Sequence, residues 1–388
     1  MTQTKSATIL TIVTGFAIFT MLFGAGDFML PPTLGILAGQ NVLFAALAFA
    51  FTAVVLPIMG LIASFLFEGN YKDYFYRLGR VPGAALIAIC MFIIGPGFVL
   101  PRIINLCHEM LSPYVPGLNL LVFAILFSAL TFILTFRPTK FIDVLGYLIT
   151  PIKLALVGLM IGLGIWIAKE PICSDVPMTK LLGKSLLQGY GTLGLLGTIF
   201  FGSVIFEIFR KDLGVHGSKD LKKLIKNGLY ASLIGGALLS LVYAGMTFLG
   251  AYHGAGLEGL NEAQILSQVS IRIIGRTGGF FAAVAIMIAC LATMIALSTV
   301  ISEYTQKEVS RNRLSFVTSL FVMLSITVVM SLLGLQALMK MSIDVAFVLY
   351  PVLIVLTLCN IGYKLFDFKP VKIPVLLAFI GSILIKVL

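Results

Sequence analysis

The chain has 388 residues, 59% of them hydrophobic and 11% charged, with a net charge of +11. Soluble domains average about 25% charged residues, so this composition marks an integral membrane protein and excludes a water-soluble enzyme or binding module. Apolar runs of about 20 residues, the length of a bilayer-spanning helix, recur from end to end and leave no room for a soluble domain.

Eleven spans are predicted, over residues 8 to 37, 41 to 67, 83 to 106, 118 to 136, 143 to 168, 186 to 209, 227 to 251, 277 to 301, 314 to 335, 341 to 362 and 371 to 388. The first is too long for a signal peptide and lacks a small-x-small cleavage site, so it is expected to remain as a helix. The longest polar connections, "FRKDLGVHGSKDLKKLIKN" and "AYHGAGLEGLNEAQILSQVSIRIIGR", have room for short surface helices only. The expected fold is therefore an all-α polytopic membrane protein, one transmembrane domain over residues 1 to 388.

Orientation follows from the basic residues, because short cytoplasmic loops retain positive charge during insertion. Lys5, the group Lys72, Arg77 and Arg80, the pair Arg137 and Lys140, and the run from Arg210 to Lys226 all fall on one side, which is expected to be cytoplasmic. Topology thus accounts for the net charge, and no nucleic-acid partner is implied. The N-terminus is expected inside and the C-terminus outside.

Five cysteines show neither a disulfide framework nor metal-ligand spacing. His108, His216 and His253 are scattered, and no GxxxxGK[ST] phosphate loop is present, so neither a metal or other cofactor nor ATP coupling is expected.

Two spans are interrupted. Span one contains "FGAGDFMLPP", with Gly24, Gly26, Asp27, Pro31 and Pro32, and span six contains "GYGTLGLLG", with Gly189, Gly191, Gly194 and Gly197. Matching interruptions in two halves of a chain point to an inverted-repeat transporter whose site lies at the midplane. Half-helix N-termini there would face an anionic group and unwound carbonyls a cation, an arrangement suited to a zwitterion. The alternative is that these glycines only allow close helix packing. A passive channel and a membrane-embedded enzyme also remain open, the latter disfavoured by the scattered histidines.

Six segments carry a resemblance: "GFAIFTMLFGAGDFMLPPTLGILAGQN", "GPGFVLPRIINLCHE", "KFIDVLGYLITPIKLAL", "QGYGTLGLLGTIFFG", "ACLATMIALSTVISEYT" and "LYPVLIVL". From Gly15 to Leu356 the chain resembles the bacterial branched-chain amino acid:cation symporters. The resemblance implies an inner-membrane importer of leucine, isoleucine and valine, and of other apolar amino acids such as methionine, driven by Na+ or H+. It also implies a LeuT-like fold of five-plus-five repeats, about 8 to 168 and 186 to 362, with an extra helix over 371 to 388. Two positions depart from the family pattern: Asp27 stands in place of Asn, and Gly194 where an Asp is usual. The family usually has a twelfth span, so the oligomeric state stays open.

In that frame Gly24, Ala25, Gly26, Asp27, Tyr190, Gly191, Thr192 and Leu193 are candidate substrate-binding residues. A lone carboxylate at the depth of Asp27 costs about 2.5 to 3.5 kcal/mol, so it needs a partner or a proton. Either it meets the substrate ammonium, or it caps the half-helix that follows. Lys153 lies about 12 Å into span five, too deep to snorkel; the resemblance makes it a proton carrier or a fixed charge opposite Asp27. Thr293, Ser298 and Thr299 offer oxygen donors for a coupling ion, and a Na+ site is expected at Gly24, Ala25, Ser298 and Thr299. Each hydroxyl has the competing option of bonding its own helix. Arg102 and Glu109, one or two turns apart beside the break at Gly95, Pro96 and Gly97 in span three, are either a gate ion pair or an interfacial anchor, and the anchor is the expectation.

Overall fold

The computed structural model describes residues 7–136, 138–212 and 221–387. Lys5, Arg137, Lys219 and His216 lie outside them, as do the side chains of Lys140, Lys211, Lys222 and Lys223. The described residues are helical, with one isolated bridge between Glu258 and Leu260 and no strand.

The helices are α1 (Ala7–Leu22), α2 (Ala25–Ala38), α3 (Val42–Ala50), α4 (Leu56–Leu66), α5 (Tyr71–Tyr76), α6 (Arg80–Phe92), α7 (Val99–Leu111), α8 (Leu120–Phe136), α9 (Pro138–Trp166) and α10 (Met178–Tyr190). They continue with α11 (Gly194–Asp212), α12 (Leu221–His253), α13 (Glu262–Tyr304), α14 (Phe316–Ser331), α15 (Leu335–Phe366) and α16 (Lys372–Val387). Wider π turns over 51–55 and 93–97 join α3 to α4 and α6 to α7. Among the described residues six stretches are long and apolar enough to cross a membrane: Ala25–Leu66, Arg80–Leu111, Met178–Glu207, Leu224–His253, Glu262–Val309 and Leu335–Phe366. Leu10–Leu22, Leu120–Phe136, Lys153–Trp166 and Phe316–Ser331 are shorter apolar helices.

Both expected interruptions are present. Between α1 and α2 the chain is extended at Gly24, and between α10 and α11 it turns through Gly191, Thr192 and Leu193, where Leu193 takes φ 60°. The two prolines behave differently from the glycines. Pro31 and Pro32 sit inside α2, where their missing N–H groups leave the carbonyls of Asp27 and Phe28 without a helical donor. The helix persists because it is enclosed: only Thr33, Ile36 and Leu37 of its residues are not buried.

What encloses α2 most closely is α12. A Cβ on Gly35 would lie 2.0 Å from the Thr247 carbonyl oxygen, and one on Gly250 would lie 1.9 Å from that of Pro32. Backbone meets backbone here, as small residues permit in membrane interfaces. Gly35→Val is therefore expected to cost at least about 1 to 3 kcal/mol by overpacking. The check is the yield of monodisperse protein and its thermal midpoint in detergent; a normal midpoint would show that α2 and α12 can separate without penalty.

The polar stretch before span eight forms the first turns of α13, which are packed into the protein instead of lying on its surface, with Ala263, Ile265, Leu266 and Val269 buried. Asn261 caps it by accepting the Gln264 amide at 2.9 Å while its own amide donates to the Gln264 side chain at 3.3 Å. At Gly275, φ 72°, the helix changes direction, a conformation that a side chain would strain.

Candidate functional site

The break before α2 is organised by Asp27, which is 3% exposed. Its Oδ2 accepts the Gly24 amide at 2.7 Å, closing the first turn of α2, and its Oδ1 accepts the hydroxyl of Tyr243 on α12. A carboxylate at a helix N-terminus is favoured by the helix dipole. The capping role is thus real, and together with the Tyr243 bond it uses one lone pair of each carboxylate oxygen.

Lys153 on α9, 3% exposed, donates to the carbonyl of Phe23, the last residue before the break. Its ammonium also lies 4.7 Å from the centre of the Phe23 ring and 5.4 Å from that of Phe28, close enough for cation–π attraction. Cys290 of α13 and Asp27 are its other electrostatic neighbours. Here the freed carbonyl faces a side-chain cation.

The second break meets the first. A Cβ on Gly26 would lie 3.5 Å from Thr192 Cα and 3.6 Å from the Gly191 carbonyl oxygen, so the two interruptions touch through bare backbone. Thr192 donates to the Gly189 carbonyl at 2.9 Å and receives the Gly194 amide at 3.3 Å, fixing the turn. Leu193 is buried, and Tyr190 stacks on Tyr350 of α15 with ring centres 4.7 Å apart. Phe200 packs against Tyr71 and Phe75 of α5.

Arg102 is no interfacial anchor. It is 1% exposed and reaches the same place from α7: Nη1 donates to the Gly191 carbonyl at 2.9 Å and to Ser342 Oγ of α15 at 3.3 Å. Glu109 is separate, accepting from Asn261 and Gln264 at 3.2 and 3.1 Å and so holding the N-terminus of α13. The cause is the break at Gly95, Pro96 and Gly97, where Gly95 leaves helical geometry and resets the face that α7 turns inward. That glycine-proline-glycine signal, five residues ahead of Arg102, was the clue in the sequence.

The span-eight hydroxyls fall in two groups along α13. Thr293 donates to Ala289 at 3.3 Å, one turn from the Cys290 that neighbours Lys153. Ser298 and Thr299 lie about 8 to 9 Å further along the helix at 1.5 Å per residue; Thr299 bonds the Ile295 carbonyl at 2.9 Å, while the buried Ser298 hydroxyl has no partner among the described residues.

A cavity of about 630 Å³ opens above the breaks, bounded by Thr33 and Leu37 of α2, by Leu187 and Gln188 of α10, and by Ile343 of α15. At the opposite end, Lys72 of α5 pairs with Glu308 at 2.5 Å. That hydrogen bond raises the Lys72 ammonium above the usual lysine range.

A profile of the branched-chain amino acid transport proteins matches residues 7–387. The chain belongs to that family. It is 31% identical over 371 residues to the branched-chain amino acid permease BrnQ of Bacillus subtilis, covering 92% of this chain and 82% of the permease. Among solved structures it is similar to Mhp1, a nucleobase-cation-symport-1 family transporter (TM-score 0.64, 14% identity, covering 96% of this chain and 91% of that one). It is also similar to MhsT in complex with L-phenylalanine (TM-score 0.57, 16% identity, 97% and 98% covered). At such identities the likeness concerns the fold, which is that of the LeuT-like transporters. This family member thus carries the helix breaks of a secondary transporter.

Proposed function

We propose that the protein is an importer of branched-chain amino acids that works by alternating access and couples uptake to protons. Its architecture is eleven spans arranged as five-plus-five inverted repeats, about 8 to 168 and 186 to 362, with an extra helix over 371 to 388. The N-terminus lies in the cytoplasm and the C-terminus outside, in a bacterial inner membrane. The observation that carries the reading is the meeting of the two helix breaks at Gly26, Gly191 and Thr192 beside the buried Asp27. Exposed backbone is tolerated at membrane depth only where protein or a water-lined cavity satisfies it.

Substrate enters from the cavity above α2 and α10. Its ammonium uses the remaining lone pairs of Asp27, and its side chain lies against Tyr190, Thr192 and Leu193, with the backbone of Gly24, Ala25, Gly26 and Gly191 completing the site. A pocket of this kind separates side chains differing by a methylene by only about 1 to 3 kcal/mol, so methionine is an expected minor substrate.

Proton coupling is favoured by Lys153, whose ammonium already engages the Phe23 carbonyl that a bound cation would use. Sodium coupling has one observation of its own, the unpartnered buried hydroxyl of Ser298; Thr293 and Thr299 have lone pairs to add. Proteoliposomes given labelled leucine and an inward proton gradient are expected to accumulate it, and those given an inward sodium gradient alone are not. Accumulation under sodium alone would transfer the coupling role to the α13 hydroxyls. No accumulation of any apolar amino acid under either gradient would end the symporter reading.

A further inference from the structure

Among the described residues three charged side chains are buried, Asp27, Lys153 and Arg102, and none forms an ion pair within 4 Å. Their formal sum is +1. Asp27 accepts from Gly24 and Tyr243, Lys153 donates to Phe23, and Arg102 donates to Gly191, Ser342 and, at 3.5 Å, the sulfur of Met339. Every partner is neutral. A desolvated guanidinium held by neutral acceptors is costly unless an anion joins it.

The guanidinium is also only half used. Its bonds all leave from Nη1, and Nε is buried with no acceptor among the described residues. Nη2 lies 3.3 Å from where a Cβ of Gly26 would stand, so the Nε–Nη2 edge borders the first turn of α2. That edge is the one that takes a carboxylate through two parallel hydrogen bonds, and the positive end of the α2 dipole adds to the same attraction. The route is short. Ile343 lines the cavity, and its Cγ1 and the Cδ1 of Leu30 lie 3.5 and 3.3 Å from where a Cβ of Gly191 would stand; the Gly191 carbonyl is Arg102's acceptor. Ile343 thus joins the wall of the cavity to the Gly191 backbone that holds the guanidinium.

We propose that Arg102 is the receptor for the substrate's α-carboxylate, a specificity-determining residue that restricts transport to molecules bearing a carboxylate. The assignment rests on the amino acid importer reading above. Asp27, bonded to Gly24 and Tyr243 with one lone pair left on each oxygen, repels the carboxylate and accepts the ammonium. Arg102 and Asp27 then read the two ends of one zwitterion from two different helices.

The test uses the full chain in proteoliposomes, with labelled leucine uptake competed by unlabelled L-leucine and by L-leucinol, its alcohol. In the wild type leucinol should compete at least about 100-fold less well than leucine, because the buried guanidinium is left without its anion. In Arg102→Gln, followed by counterflow or by binding if uptake is slow, leucine should fall to within about threefold of leucinol. Arg102→Lys, which keeps the charge and loses the fork, should retain a leucine preference of about 10-fold, and it decides the matter if the Gln variant does not fold. If leucine and leucinol weaken together in the variants, with their ratio unchanged, Arg102 only supports the Gly191 turn and the proposal is overturned. If the wild type takes up leucine but never distinguishes it from leucinol, the assignment falls while the importer reading stands; if the wild type handles no leucine at all, both fall.

Discussion

Asp27→Asn should abolish concentrative leucine uptake, by at least about 100-fold, while leaving a protein that still purifies. The carboxylate is the one buried anion facing two buried cations, Lys153 and Arg102, among the described residues. Asparagine has almost the same shape, and its carbonyl oxygen can still accept the Gly24 amide that Asp27 accepts at 2.7 Å, so the first turn of α2 stays closed. Its amide, however, presents a donor where Tyr243 needs an acceptor. A mismatched buried hydrogen bond of this kind costs about 1 to 3 kcal/mol. More serious for function, the substrate ammonium loses its counter-charge and meets two cations. Asp27→Ala should do worse, losing the cap as well, at a further 0.5 to 2 kcal/mol or so, with a visible fall in thermal midpoint. Uptake by Asp27→Asn within a few-fold of wild type would show that the carboxylate serves only the helix end.

Lys153→Met should separate movement from accumulation. The substitution keeps the length and apolar stem of the side chain among Phe23 and Phe28 but removes the ammonium that donates to the Phe23 carbonyl. Lost cation–π attraction contributes about 0.5 to 2 kcal/mol, and the freed carbonyl about 1 to 3 kcal/mol more. With no group to carry or release a proton beside the break, a proton gradient has nothing to act on. Leucine counterflow between equal proton concentrations should persist, while the proton-driven accumulation ratio drops about 10-fold or more, towards one. Undiminished proton-driven accumulation in Lys153→Met would remove this lysine from coupling and return attention to Ser298 and its neighbours on α13.

Much of the architecture was legible in the sequence, because the signals that define it are local. Apolar runs of bilayer length mark helices, and glycine clusters mark where a helix has no reason to continue. Both breaks therefore stand where "FGAGDFMLPP" and "GYGTLGLLG" place them. Even the break before α7 was written in "GPG", although its consequence was not. The prolines of α2 were the exception: burial on nearly every face keeps a helix through Pro31 and Pro32 that propensity alone would end.

The sequence by itself determined that the chain lives in a membrane, that it is helical, and which segments are interrupted, since each of these depends on residues near one another. Only the tertiary structure decided what meets at the interruptions. Asp27 finds Tyr243 across 216 positions, Lys153 finds Phe23 across 130, and Arg102 finds Gly191 across 89. Around α1, α14 and α15 hydropathy is nearly uniform and carries little information about which face turns inward, whereas α7 has a distinct polar face, and the structure turns that face into the protein with Arg102 and Asn105 buried. That rotation is set by where backbones can approach, at Gly35 against Gly250 and at Gly26 against Gly191, and it turned Arg102 from an expected anchor into the buried cation at the centre of the site.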